Sequence, residues 1–276
     1  MKIAVVGLGI IGGSMAMAIK KYTQHYVIGI NRTRKTLEKA LECGAIDEIG
    51  DEDSIRDADL IILGLYPALA VEFIKRNCDK IKKDAIVTDT SGIKSAICPA
   101  LEKIADENGF TFIGSHPMAG KETNGFDSAD ADLFFGASFI VVPGNAPYDK
   151  VRTLCRLAMD IGFAGVRMTT PEEHDRMIAY TSQLPHVLAC AYVLSPQCPN
   201  HKGFSAGSYR DVSRVAKINA SLWSELFIEN RKPLVDEIDI LIDNLNLIKQ
   251  GIENKSYDEL IEILGKSRQI KEQLDE

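Results

Sequence analysis

The turn Gly7-Leu8-Gly9-Ile10-Ile11-Gly12 constrains this chain more than any other segment, because of what flanks it: the apolar run Lys2-Ile3-Ala4-Val5-Val6 before, and a helical pattern through Ala16, Ile19 and Lys20 after. Between a strand and a helix, the first glycine permits a tight turn, the second lets backbone approach a pyrophosphate, and the third lets helix and strand pack closely. The helix N-terminus adds amide donors for the anion. Residues 7–12 are therefore expected to bind a dinucleotide.

Further apolar runs follow at Tyr26–Ile30, Leu60–Leu65, Ala85–Asp89, Phe110–Gly114 and Phe139–Val142, separated by amphipathic segments. Runs apolar at every residue suit strands covered on both faces, so a parallel sheet with helices on each side is expected: an α/β Rossmann-type domain over residues 1–169. Near Thr169 the rhythm stops. Thr170-Pro171-Glu172-Glu173 offers an N-cap, a proline at the first helical position and a glutamate at the third, so a helix should start there and bend at Pro185. Helices over Ser208–Asn230 and from Pro233 to about Gly251 complete an all-helical domain, 170–276. In the last of these, Leu234, Ile238, Leu241, Leu245, Ile248 and Ile252 recur four and three apart, a seam that needs a covering surface. Periodicity alone leaves open whether this cover is the chain's own core or a second copy.

Composition excludes several functions. The 276 residues are 45% hydrophobic and 26% charged, with a net charge of −7, which disfavours a nucleic-acid partner needing a basic face. No apolar stretch approaches the roughly 20 residues of a membrane span, and no leader precedes the first strand, so a soluble cytoplasmic chain is expected. The six cysteines form no C-x-x-C pair or zinc-type cluster, so they read as reduced and no metal is expected.

At the end of the second strand, where a carboxylate that selects NAD usually meets the ribose, the chain has Asn31, then Arg32 and Thr33. Without a repelling charge and beside arginines, a 2′-phosphate is tolerated. NAD or NADP is expected as cofactor, NADP slightly favoured by Asn31 and Arg32, although Asn31 can still hydrogen-bond a plain ribose.

After the fifth run comes Gly114-Ser115-His116-Pro117-Met118-Ala119-Gly120-Lys121-Glu122, at the carboxyl edge where open α/β sheets bind ligands. That segment, with His174-Asp175, Ser182-Gln183-Leu184-Pro185-His186, Arg210-Asp211-Val212-Ser213-Arg214-Val215-Ala216 and Trp223, resembles the prephenate and arogenate dehydrogenases over nearly the whole chain. The resemblance implies oxidative decarboxylation of prephenate to 4-hydroxyphenylpyruvate in tyrosine biosynthesis, or of arogenate to tyrosine. It also implies a homodimer through the C-terminal helices.

Carried onto this sequence, the resemblance makes His116 the base at the substrate hydroxyl and Arg214 the carboxylate clamp. Arg210, one turn earlier, would add a second cation or else stay solvated or pair with a surface acid, and Asp211 would orient Arg214 or mark the helix end. Glu122, Gln183 and His186 would line the substrate pocket, though each has an ordinary structural alternative. Relatives place a serine where Gly92 stands. Ser91 is one position early, and is expected either to serve the substrate or only to touch the cofactor. The family's ACT or chorismate mutase extension finds no room after the helical segment, so any tyrosine inhibition would act at the active site. Two rivals predict different behaviour: a β-hydroxyacid dehydrogenase would use a lysine in the second domain, and a dinucleotide sensor would bind cofactor without turnover.

Overall fold

The computed structural model describes residues 1–121 and 123–274, which form two compact units, Met1–Asn230 and Arg231–Glu276. Lys2–Val6 (β1) leads through the glycine turn into Ile10–Tyr22 (α1); Tyr26–Ile30 (β2) and Arg34–Glu42 (α2) repeat the unit. The two-residue Glu48–Ile49 (β3), Leu60–Leu63 (β4), Pro67–Asn77 (α3), Ile86–Asp89 (β5), Cys98–Asn108 (α4) and Thr111–Pro117 (β6) complete the parallel part. Ser138–Val142 (β7), Tyr148–Asp160 (α5) and Gly165–Met168 (β8) follow. The sheet runs β3-β2-β1-β4-β5-β6-β7-β8. One apolar cluster packs α1, α2 and α5 on one face, and a second packs α3 and α4 on the other.

The sheet departs from the all-parallel expectation at β7, which pairs antiparallel with β6. Between these strands the described residues make a short 3₁₀ turn at Phe126–Ser128 and no crossover helix that would bring the chain back in the same direction. β8 then pairs parallel with β7, and its half-exposed Gly-Val-Arg-Met carries no apolar run by which to recognise it.

The helical part begins as expected. Pro171–Ile178 (α6) is capped by the Thr170 side chain, which accepts from the Glu173 amide at 3.2 Å. Pro185 cannot donate to the carbonyl one turn back, and the backbone widens into a π-helical turn over Ala179–Gln183 before Leu184–Val193 (α7). The single helix expected over 208–230 is two: Gly207–Ser213 (α8), ending in a 3₁₀ turn at Arg214–Ala216, and Ala220–Glu229 (α9). Asn219 explains the break, since its side chain accepts from the Leu222 amide at 3.2 Å and starts α9 afresh.

The second unit is a helical hairpin, Arg231–Glu253 (α10) and Tyr257–Gln273 (α11). Gly251 lets the helices close, for a Cβ there would lie 3.0 Å from Leu260. Of the seam on α10, Leu234 is buried while Leu245 and Ile252 are 51% and 61% exposed. No helix among the described residues is long and apolar enough to cross a membrane.

Candidate active site

A cavity of about 580 Å³ in the first unit extends from the glycine turn, at Gly9, Ile10 and Ile11, to Arg214 and Trp223. Its glycine end is shaped by what a Cβ would meet. At Gly12 it would lie 2.0 Å from the Gly7 carbonyl oxygen, and Gly7 itself has φ +90°, so both are demanded by packing of the turn. At Gly9 a Cβ would meet nothing within 4 Å. The open side of Gly9 thus leaves backbone clear for a ligand, and α1 begins with no capping side chain and no acid in its first turn. These residues fit a dinucleotide pyrophosphate.

Not every expected cofactor residue faces this space. The Leu8 side chain is buried in the core, and its amide donates to Asn31 Oδ1 at 3.1 Å. Asn31 Nδ2 donates weakly to the Thr33 carbonyl at 3.4 Å, so Asn31 ties the glycine turn to the end of β2 and turns its amino group toward the turn at Thr33. Arg32 and Thr33 are exposed beside it.

At the other end lies His116. It sits within β6, where a strand-end loop was expected. Only residues 111–113 pair with β5; from Gly114 the strand runs on past the edge of β5 and pairs with β7. Ser115, the residue before His116, is locked to β5: its amide donates to Asp89 Oδ1 at 3.1 Å and its hydroxyl to the Asp89 carbonyl at 2.5 Å. Asp89 Oδ2 in turn accepts from Lys94 Nζ at 2.5 Å. Lys94 is fully buried, its ammonium also donating to the carbonyls of Ser91 at 2.8 Å and Ile93 at 3.2 Å.

The imidazole is fixed from the helical side. His116 Nδ1 lies 3.0 Å from His174 Nε2, and His174 Nδ1 lies 2.7 Å from Asp175 Oδ1. Asp175 also accepts from the Lys94 amide at 2.8 Å and the Ser95 amide at 2.7 Å, which places its carboxylate between the β5–α4 turn and α6. A carboxylate can only accept here, so His174 Nδ1 carries the proton. Neutral His174 then accepts at Nε2, His116 donates from Nδ1, and the lone pair falls on His116 Nε2, on a residue that lines the cavity. Burial, reinforced by His174 and the Lys94 ammonium, pushes the His116 pKa well below its usual value near 6.5. Burial also lowers that of His174, outweighing the opposing pull of Asp175. For Asp175 burial works the other way, but the hydrogen bonds from His174 and Ser95 prevail and hold it below the usual carboxylate range.

The remaining expected residues divide. His186 lines the cavity, stacked on Trp223 with centroids 3.7 Å apart, and its Nδ1 donates to the Ser182 carbonyl at 2.7 Å. Arg214 lines the same wall. Arg210 does not: its side chain is 78% exposed and lies 3.7 Å from Asp211, so Asp211 pairs with Arg210. The helix carries Arg210 away because the 3₁₀ turn at Arg214 ends the shared face. Gln183 reaches the cavity, but its amide is engaged by the Leu226 carbonyl at 3.2 Å and by Asn230 at 2.7 Å, a tie between the π-helical turn and the end of α9. Ser91 lines the cavity with its hydroxyl buried and without a hydrogen-bond partner among the described residues. Gly92 is the position that abuts His116, a Cβ there falling 3.8 Å from His116 Cε1. Glu122 lies outside the described residues.

Reasoning from sequence had given no chemical role to His174, Asp175, Lys94 or Lys217, the last of which also lines the cavity. The first two were legible only as marks of a resemblance. A fully buried lysine has no sequence signature beyond its place five residues after Asp89.

Two family models match in succession: "prephenate dehydrogenase, nucleotide-binding domain" over residues 15–164 and "prephenate dehydrogenase, dimerization domain" over residues 170–266. The cyclohexadienyl dehydrogenase of Zymomonas mobilis is 30% identical over 98% of this chain and 94% of its own length. The crystal structure of Aquifex aeolicus prephenate dehydrogenase in complex with hydroxyphenyl propionate and NAD+ superposes with a TM-score of 0.88 at 26% identity, covering 100% of this chain and 98% of that one. Synechocystis arogenate dehydrogenase does so with a TM-score of 0.84 at 28% identity, over 99% and 100%. Matched over residues 15–164 and again over 170–266, this chain belongs to the prephenate dehydrogenase family.

Proposed function

We propose that this chain oxidatively decarboxylates prephenate to 4-hydroxyphenylpyruvate, with NAD or NADP as oxidant, in tyrosine biosynthesis. The observation that carries the reading is the chain Asp175–His174–His116, which leaves a neutral acceptor nitrogen in a cavity that reaches from a dinucleotide turn to Arg214. When bound, the nicotinamide supplies the hydride acceptor. His116 Nε2 takes the proton of the substrate hydroxyl as the adjacent C–H bond is broken, and the imidazolium then shares its charge through His174 toward Asp175. Arg214 holds the ring carboxylate in place until it leaves as carbon dioxide, a step made downhill by aromatisation of the ring. His186, oriented by Ser182 and Trp223, lines the space for the substrate side chain.

NADP is the favoured dinucleotide in this reading. Asn31 Oδ1 is held by the Leu8 amide and its amino group by the Thr33 carbonyl, so the end of β2 offers an uncharged amide beside exposed Arg32, without a carboxylate at position 31 to repel a 2′-phosphate. A homodimer follows from the half-exposed seam of α10, which a second copy would cover. Steady-state rates with prephenate and arogenate, each against NAD and NADP, test the assignment: prephenate with NADP should give the highest kcat/KM. Turnover confined to arogenate would overturn the choice of substrate, and no turnover with either would favour a dinucleotide sensor.

A further inference from the structure

With Arg210 turned to solvent, the cavity retains one expected cation for a substrate that carries two carboxylates. Lys217 lines the same cavity as Arg214. Its place is set by the backbone: after the 3₁₀ turn Arg214–Ala216, Lys217 has φ −80° and ψ 75°, and the Ile218 amide donates to the Ala216 carbonyl at 3.0 Å. This is an inverse γ-turn with Lys217 at its apex. Two ties hold the segment that follows to the start of α3, Asn219 Nδ2 donating to the Tyr66 hydroxyl at 3.0 Å and the Ala68 amide to Glu225 of α9 at 2.9 Å. Lys217 is exposed, and among the described residues no carboxylate pairs with its ammonium.

We propose that Lys217 binds the side-chain carboxylate of the substrate while Arg214 holds the ring carboxylate, and that it thereby favours a keto acid over an amino acid at that end. This assignment rests on the prephenate reading. The two cations suit their tasks: a planar fork matches a carboxylate fixed on a ring, and a point charge on a flexible stem follows one on a rotating side chain. An α-ammonium beside that carboxylate would face Lys217 as a like charge, which is how one lysine discriminates against arogenate.

The test uses 4-hydroxyphenylpyruvate, which keeps the side-chain carboxylate and keto group but lacks the ring carboxylate. Calorimetric titration of the full chain should show Lys217→Ala weakening its binding about tenfold while Arg214→Ala changes it less than about twofold. Lys217→Arg should retain most of the affinity. For the alanine variant, KM for prephenate should rise about tenfold with kcat held, and KM for arogenate should change less than about threefold, narrowing the preference. Unchanged product affinity in Lys217→Ala would overturn the proposal. So would a weakened dinucleotide Kd with product affinity intact, which would move Lys217 to the cofactor. If the wild type turns over neither substrate yet binds 4-hydroxyphenylpyruvate in a Lys217-dependent way, the reaction is wrong and the carboxylate site stands. If it does not bind at all, both fall.

Discussion

The groups around His116 and those expected to recognise charge differ sharply in burial. Around His116 nearly every polar atom is committed to the protein: Ser115 to Asp89, Asp89 to Lys94, His174 to Asp175, Asp175 to two amides. Around Arg214, Lys217 and Asn31 the side chains are half-buried or exposed. A group that must hold one protonation state and one tautomer gains from a low-dielectric, fully satisfied surround. Groups that recognise charge in solvent are screened, so their contributions are smaller and more separable.

Breaking the buried end should have the largest effect. His116→Asn removes proton acceptance, and kcat should fall by roughly two to four orders of magnitude with little change in KM. Because the folded pKa of His116 is depressed, its neutral form persists as pH falls, so wild-type kcat/KM should hold through 6.5 and decline only well below it. Stability should behave differently. The stabilisation tied to a depressed histidine pKa is complete above the unfolded value near ~6.5 and is lost as pH falls from there toward the folded pKa. A pH–rate profile breaking at or above 6.5 would show that the network does not set the state of the base.

At the mouth, Arg214→Ala should raise KM for prephenate by about 1.5–3 kcal/mol, the range for a hydrogen bond to a charged group, with lysine restoring part of it. Dinucleotide Kd should hardly move; a parallel rise would mean that the mouth is not separable. At the dinucleotide edge, Asn31→Asp keeps an acceptor for the Leu8 amide but adds a charge, and should lower the NADP-to-NAD ratio of kcat/KM by about tenfold. The smallest effect is expected at Ser91. Its hydroxyl is buried with no hydrogen-bond partner among the described residues, so Ser91→Ala should leave kcat within about twofold and should not lower the melting temperature. A large loss of kcat would instead give Ser91 the role of the serine absent at Gly92.

What was legible in the sequence was local. The glycine turn declares itself because the strand, turn and helix that give it meaning are contiguous, and the Thr170 cap because its donor is three residues away. The reversal at β7 was not legible, since direction depends on how residues 118–137 cross the sheet edge and not on the composition of the strand. Arg210 was misplaced by treating 208–230 as one helix, although Asn219 offered a capping residue in its middle. Lys94 shows the deeper limit. A lysine reads as surface, and only the convergence of Asp89 and two carbonyls makes its burial tolerable.

The Asp175 bridge has a consequence for biogenesis. Its carboxylate joins amides 81 and 80 residues earlier in the chain, and His174 meets His116 across 58 residues. The sheet with its dinucleotide turn can form from the first part of the polypeptide, yet the tautomer of the base is set only when α6 docks. A chain whose sheet formed before α6 docked would therefore lack the contact that fixes the His116 tautomer. In refolding experiments, recovery of dinucleotide binding should precede recovery of turnover, and simultaneous recovery would show that the sheet waits for its helical partner.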